Sequence, residues 1–219
     1  MKRLVTSFAA WLLGSGLILL ARLLTAPRAI WHGIEPVPKQ RLYFANHTSN
    51  ADLILIWTVL PPRLRKQTRA VAGSDYWLKS KLRAFVGHEV VRAVMIERRP
   101  EHRGDEDPVA KILEAVDQGD SLIIFPEGKR NMTDKPVLRF KSGIYNVSKA
   151  RPELDLVPVW IENLNSVMPK GHVIPVPLLC TVSFGAPVRV EPGESIDAFL
   201  ARASEAMVAL RPQNGGQRP

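Results

Sequence analysis

Short apolar runs alternate with amphipathic stretches along the chain after Pro27, and this alternation restricts the possible folds more than any other feature. The apolar runs have the length and composition of buried strands, whereas the stretches between them have the spacing of helices. Strands that alternate with helices usually form parallel sheets, because each helix returns the chain to the same edge. The pattern predicts an α/β fold with a single mixed, largely parallel sheet flanked by helices.

The predicted elements follow from this periodicity and from local stop signals. Strands are predicted at 41–45, 69–73, 93–97, 121–125, 154–161, 178–184 and 187–190. Helices are predicted at 51–60, 74–85, 108–117, 139–150 and 195–210. Asp107 before Pro108 is typical of a helix start, and Gly119 is typical of a helix end. Ser74 is expected to cap its helix.

The segment 4–21 contains no charged side chain, and basic residues flank it on both sides. As a helix it is about 27 Å long, close to the hydrocarbon thickness of a bilayer, about 30 Å. We therefore expect a membrane-associated helix that either spans the bilayer or lies in one leaflet. A cleaved signal peptide and a buried core helix are the alternatives. The flanking charges predict no orientation, since both flanks are basic.

The net charge of +9 is concentrated in one part of the chain. Residues 61–103, the basic stripe, contain eleven lysines and arginines but only four acidic residues. Such a stripe attracts phosphate groups on nucleic acid, on anionic lipid or on a small substrate. The apolar segment and the absence of a recognition-helix motif argue against nucleic acid as a partner. Cys180 is the only cysteine, and the histidines lack metal-ligand spacing, so we expect no disulfide, metal or cofactor.

One polar segment joins the predicted strand 41–45 to the next helix: Asn46-His47-Thr48-Ser49-Asn50-Ala51-Asp52. Residues five apart point about 140° from each other on a helix, so His47 must precede the helix to reach Asp52. Ser49 or Asn50 is then the expected cap. In that arrangement Asp52 holds one imidazole nitrogen and leaves the other free as a base. A capping box of Ser49 and Asp52, with His47 as an ordinary loop residue, is the alternative.

A second polar segment follows the apolar residues 121–124 and begins at the end of the predicted strand: Phe125-Pro126-Glu127-Gly128-Lys129-Arg130-Asn131. Two adjacent cations beside a glycine turn suit a phosphate group. Glu127 is expected to tether a cation or a substrate hydroxyl. A polar turn with a solvated charge pair is the alternative. In open α/β sheets, ligands bind beyond the carboxyl ends of strands, where both polar segments are predicted.

Four blocks between residues 46 and 160 resemble the glycerophospholipid acyltransferase superfamily, and in particular its lysophosphatidic acid acyltransferases. The family's first block, NHxxxxD, is similar to 46–52, and its third, FPEGTRS, is similar to 125–131. Its second block is only partly met by Arg92-Ala93-Val94-Met95-Ile96-Glu97-Arg98, in which Arg98 and Ile96 match but the family's glycine and phenylalanine are absent. Its fourth block, a proline between hydrophobic residues, is met by Leu156-Val157-Pro158-Val159-Trp160. Lys129 and Asn131 replace the threonine and serine of the third block.

The resemblance implies that His47 deprotonates an acceptor hydroxyl and that Asp52 orients His47. It also implies a glycerol-phosphate site formed by Arg98, Glu127, Gly128, Lys129 and Arg130. The expected reaction moves a fatty acyl chain from acyl-CoA or acyl carrier protein to lysophosphatidic acid, which gives phosphatidic acid. Another lysolipid acceptor, or a non-catalytic protein that binds anionic lipid, is the alternative.

The expected organisation has three parts. Residues 1–27 are the membrane anchor helix, residues 28–210 are the acyltransferase domain, and residues 211–219 are a disordered tail rich in Gly, Gln and Pro. Acyl thioesters are cytoplasmic, so the domain is expected on the cytoplasmic face of the cell inner membrane.

Overall fold

The computed structural model describes residues 2–99, 101, 104, 106–162 and 179–212. Its helices are α1 (Lys2–Thr25), α2 (Asp52–Val59), α3 (Pro62–Lys66), α4 (Ser74–Trp77), α5 (Lys81–Phe85), α6 (Pro108–Asp117), α7 (Gly143–Ala150) and α8 (Ile196–Val208). A π-helical turn, Val86–Val90, follows α5. The strands are β1 (Arg28–Trp31), β2 (Arg41–Ala45), β3 (Thr68–Gly73), β4 (Val94–Ile96), β5 (Ser121–Ile124), β6 (Asp155–Glu162) and β7 (Thr181–Phe184).

The strands form one mixed sheet in the order β1-β7-β6-β2-β5-β3-β4 within the described part of the chain. All neighbouring pairs are parallel except β6 and β7, which are antiparallel. The predicted fold class is therefore confirmed. In the centre of the sheet, Phe44 of β2 pairs with Ile124 of β5, so these two strands end side by side.

Helices cover both faces of the sheet because its central strands are apolar on both sides. All five residues of β2 are buried, and the consecutive side chains of Tyr43 and Phe44 belong to opposite cores. The Tyr43 core packs against α2, α3 and the π-helical turn, through Ile56, Leu64 and Val90 among others. The other core packs against α6, α7 and α8. The N-cap of α6 is Asp107, whose side chain accepts from the amide of Val109, as predicted.

Two predicted helices have different bounds in the structure. The segment 74–85 is divided into α4 and α5, because Ser80 caps a new helix by accepting a hydrogen bond from the amide of Arg83. Ser74 is not a cap, and its hydroxyl instead donates to Glu97. The helix predicted from residue 139 begins only at Gly143, since the amide of Lys141 is bonded to the carbonyl of Pro126.

Two further predictions concern the strand 187–190 and the C-terminal tail. The predicted strand 187–190 is reduced to a single bridge between Leu156 and Val188, and the sequence analysis did not predict β1 or α3. Residues 213–219 of the predicted tail lie outside the described residues.

The N-terminal helix α1 contacts the domain along one narrow stripe. Ala10 and Gly14 are buried in this stripe, and a Cβ on Gly14 would lie 3.1 Å from Val90 and 3.3 Å from Trp57. Eight large apolar residues elsewhere on the helix are exposed: Leu4, Val5, Phe8, Trp11, Leu12, Leu19, Leu20 and Leu23. A core helix would be buried all round, so this exposure argues against the alternative of a buried core helix. It is typical of a helix whose outer face contacts lipid.

We predict that Gly14→Leu weakens the packing of α1 on the domain. The added side chain overlaps Val90 and Trp57, and overpacking of this kind destabilises by about 1–3 kcal/mol. Hydrogen exchange should therefore accelerate in α2 and the π-helical turn of the membrane-reconstituted protein. Gly16→Leu is the matched control, because no atom lies within 4 Å of a Cβ at that position. Equal exchange in both variants would contradict this packing.

Candidate active site

His47 and Asp52 meet at the carboxyl end of β2. His47 lies in the loop after the strand, and Asp52 is the first residue of α2. The Nδ1 atom of His47 lies 2.8 Å from Oδ2 of Asp52, whose side chain is fully buried. The same oxygen accepts hydrogen bonds from the amides of Thr48 (2.7 Å) and Ser49 (2.8 Å). The chain therefore wraps around one carboxylate, which takes the place of the side-chain cap expected from Ser49 or Asn50.

The imidazole of His47 is held with one nitrogen free. A carboxylate only accepts hydrogen bonds, so Nδ1 carries the proton and Nε2 has an available lone pair. The ring stacks on Phe125, with centroids 4.2 Å apart and an interplanar angle of 20°. The side chain is 19% exposed and lines a cavity. This geometry is suited to general base catalysis.

Glu127 binds the backbone of the site. Its Oε1 accepts from the amide of His47 and its Oε2 from the amide of Leu138, both at 2.8 Å. The residue is buried and does not line the cavity. Burial raises the pKa of Glu127, while the two amide hydrogen bonds act in the opposite direction. The structure thus differs from the expected contact of Glu127 with a cation or a substrate hydroxyl, because both of its oxygens hold the loops that carry the site.

Two asparagines anchor the same loops. Asn46 is buried and exchanges two hydrogen bonds with the backbone of Ile161, which fixes the end of β2 against β6. The amide of Asn131 donates to the carbonyl of His47 at 2.7 Å. The Asn131 side chain closes its own turn by binding Thr133 and Lys135. The backbone of His47 is therefore held through both its amide and its carbonyl.

The cavity beside His47 has a volume of about 710 Å³. Its lining includes apolar and aromatic side chains from both sheet cores and α4: Leu53, Val71, Tyr76, Trp77, Ile96, Ile112 and Ile124. It also includes four cationic side chains (Arg98, Lys129, Arg130 and Lys141) and two acidic ones (Glu97 and Asp107). Gly128 also lines it, whereas Asp52 and Glu127 do not. A lining that combines apolar and cationic side chains suits an amphiphile with an anionic group.

Arg98 lies in the cavity wall, but its guanidinium is already engaged. Nε and a terminal nitrogen bind the two carboxylate oxygens of Asp75 at 3.0 and 2.8 Å, and the other terminal nitrogen donates to the carbonyl of Gly128 at 3.0 Å. The guanidinium holds the pKa of Asp75 below its usual range. Gly73 leaves room for this arrangement, since a Cβ there would overlap Arg98. Arg98 therefore connects α4 to the glycine turn.

Lys129, Arg130 and Lys141 differ from Arg98, because none of them pairs with an acidic side chain among the described residues. Gly128 has a φ of +71°, and a Cβ on it would lie 2.6 Å from Cε of Lys141. The side chain of Lys141 therefore packs over the backbone of Gly128, where any larger residue would collide with it. The sequence analysis missed Lys141, whose only local signal is its position just before α7. It also missed Asp75, which precedes Arg98 by twenty-three residues.

Comparison with known proteins shows which family this chain resembles. Residues 28–162 match the acyltransferase family. A 1-acyl-sn-glycerol-3-phosphate acyltransferase of Cocos nucifera is 27% identical over 165 residues, covering 74% of this chain and 50% of that protein. The chloroplastic 1-acyl-sn-glycerol-3-phosphate acyltransferase BAT2 of Brassica napus is 27% identical over 147 residues, covering 64% and 38%. The chain thus spans half or less of the length of these two relatives.

A solved structure agrees with the fold. The crystal structure of the 1-acyl-sn-glycerophosphate (LPA) acyltransferase PlsC from Thermotoga maritima aligns with a TM-score of 0.69 at 17% identity, covering 100% of this chain and 85% of that one. The family match covers more than half of the chain and includes both polar segments of the site. The chain therefore belongs to the acyltransferase family.

Proposed function

We propose that the protein transfers a fatty acyl chain from an acyl thioester to the free hydroxyl of lysophosphatidic acid, which gives phosphatidic acid. The observation that carries the proposal is the His47–Asp52 pair, whose free imidazole nitrogen lies at a cavity lined by apolar and cationic side chains. The two plant relatives are named for acylation of this kind of acceptor, which supports the same choice here. A different lysolipid with a phosphate group fits the same lining and is the second candidate.

In the proposed reaction, Nε2 of His47 removes the proton of the acceptor hydroxyl as its oxygen attacks the thioester carbonyl. The tetrahedral intermediate then collapses, the carbon–sulfur bond breaks, and the imidazolium returns the proton to the departing thiolate. Asp52 keeps Nδ1 protonated and stabilises the imidazolium, as the aspartate of a hydrolase triad does. No protein nucleophile is required, because the substrate supplies the hydroxyl. The acyl donor is either acyl-CoA or acyl carrier protein, which present the same thioester.

The cations of the cavity are proposed to bind the acceptor's phosphate. Arg130, Lys129 and Lys141 are the candidates for direct contact, since they line the cavity without acidic partners among the described residues. Gly128 allows the phosphate and Lys141 to approach the turn. Arg98 is proposed to position that turn through its bond to the Gly128 carbonyl, and Glu127 to position His47. The apolar side chains of the lining would receive an acyl chain.

We further propose that residues 1–27 anchor a domain of residues 28–210 to the cytoplasmic face of the inner membrane. The exposed apolar face of α1 supports the anchor. The substrates support the choice of the cytoplasmic face, because a soluble thioester donor and a membrane-embedded acceptor meet only at that surface.

We predict that His47→Ala lowers the rate of acyl transfer about a hundredfold or more, the usual contribution of a positioned base. Asp52→Asn should also be severe, because a neutral amide cannot stabilise the imidazolium and no longer fixes the tautomer of the ring. Mass spectrometry of the lipid product, with lysophosphatidic acid and an acyl thioester, measures both. His88→Ala is the matched control, since His88 is exposed and away from the cavity. Near wild-type turnover in folded His47→Ala would refute the mechanism.

We predict that Arg130→Ala and Lys141→Ala each raise KM for lysophosphatidic acid more than KM for the acyl donor. Each removes a charge-assisted contact to phosphate, which is worth about 1.5–3 kcal/mol, or roughly ten- to a hundredfold. Arg139→Ala is the matched control, because Arg139 lies near Lys141 in sequence but is exposed and pairs with Asp197. Equal changes in both KM values would indicate a folding defect and argue against a phosphate contact.

A further inference from the structure

Most arginines of the basic stripe are occupied by other protein groups. Five of them bind carboxylates or carbonyl oxygens in the described part of the chain: Arg65, Arg69, Arg92, Arg98 and Arg99. Arg65, for example, donates to three carbonyls at the end of α2 and lies 5.4 Å from the Trp57 ring. These five cations stabilise the fold. The cations whose donors are available for direct contact with an anion are therefore others of the stripe.

Three of the remaining cations lie in one short segment, residues 78–83, whose sequence is Leu-Lys-Ser-Lys-Leu-Arg. All six residues are exposed, and no acidic side chain is among them. Leu78 is 53% exposed and Leu82 is 67% exposed. Lys79 and Lys81 make no ion pair within the described residues, and Arg83 lies over the ring of Tyr76. The segment thus presents two exposed leucines together with three cations, a composition typical of contacts with a membrane surface.

The segment lies next to the membrane helix. It includes the first three residues of α5, and α5 continues into the π-helical turn on which α1 packs. Gly14 of α1 approaches Val90 of that turn. On its other side, the segment follows Tyr76 and Trp77, which line the cavity. Along the chain, residues 78–83 therefore join the cavity residues of α4 to the turn on which α1 packs.

We infer that residues 78–83 form a second membrane contact, inserted into the leaflet that holds α1. Leu78 and Leu82 enter the acyl-chain boundary, while Lys79, Lys81 and Arg83 bind the phosphates of anionic lipids from the headgroup level. The connection to α1 through the π-helical turn favours a bilayer over a soluble partner, because α1 itself carries eight exposed apolar residues. The contact places the cavity wall at the membrane, where an acceptor lipid can leave the leaflet.

The inference rests on the proposed membrane docking but on no step of acyl transfer, so fluorescence tests it independently of activity. Cys180 is fully buried, and burial raises its thiol pKa to about 11, so it does not compete for a label. The reporters each carry one added cysteine: Leu82→Cys in the segment, Leu12→Cys on α1 and Gln118→Cys on the opposite face of the sheet. Each full-length protein carries an environment-sensitive fluorophore in vesicles of phosphatidylcholine and phosphatidylglycerol that contain acyl-chain quencher lipids.

We expect a blue shift and quenching at positions 82 and 12, with neither change at position 118. Addition of Lys79→Gln and Lys81→Gln should reduce the signal at position 82 and leave that at position 12 unchanged. A response at position 12 with position 82 behaving like position 118 would overturn the second contact and leave the anchor intact. The absence of a blue shift and of quenching at both positions, 12 and 82, would overturn the membrane docking as well. A shift at position 82 only on adding a soluble acidic carrier protein would instead identify a protein surface and overturn the inference.

Discussion

The site depends on two buried carboxyl groups placed behind the imidazole. Asp52 and Glu127 are almost completely removed from solvent, and an unpaired charge there would destabilise the protein by several kcal/mol. The chain compensates by directing the donors of His47, Thr48 and Ser49 at Asp52. Glu127 in turn receives the amides of His47 and Leu138. The conformation of both loops is therefore set by the need to solvate these groups, and His47 is oriented as a consequence.

The sheet brings the two loops together. His47 and Glu127 are 80 residues apart in sequence, yet β2 and β5 are parallel neighbours in which Phe44 pairs with Ile124, the last residue of β5. Parallel strands end at the same edge, so both polar segments emerge side by side. The side chain of Asn46 connects a third strand, β6, to the same edge through its two hydrogen bonds with the backbone of Ile161. A change in strand order would separate His47 from Glu127, so the geometry of the candidate site depends on the topology of the sheet.

Periodicity and caps predicted the fold class and the core strands, because burial on both faces leaves a strong apolar signal over β2, β5 and β6. The Asp107 cap was predictable because it depends on adjacent residues. Contacts between distant residues were not. Nothing near Arg98 in sequence indicates its pairing with Asp75, and nothing near Lys141 indicates that it crosses Gly128. The division of segment 74–85 into two helices was not predicted either, because it depends on one hydroxyl group, that of Ser80.

The Asp75–Arg98 pair has a consequence for how the membrane and the chemistry are connected. Asp75 lies in α4, next to the cavity residues Tyr76 and Trp77, and Arg98 extends from α4 to the carbonyl of Gly128. One guanidinium thus joins the element that precedes the exposed leucines to the turn that carries the free cations. A bidentate arginine holds such a distance more rigidly than a lysine, because its fork fixes direction as well as reach. In the proposed function, α4 therefore positions the phosphate site and also leads to the proposed bilayer contact, so that an acceptor entering from the leaflet would meet these cations at a defined depth.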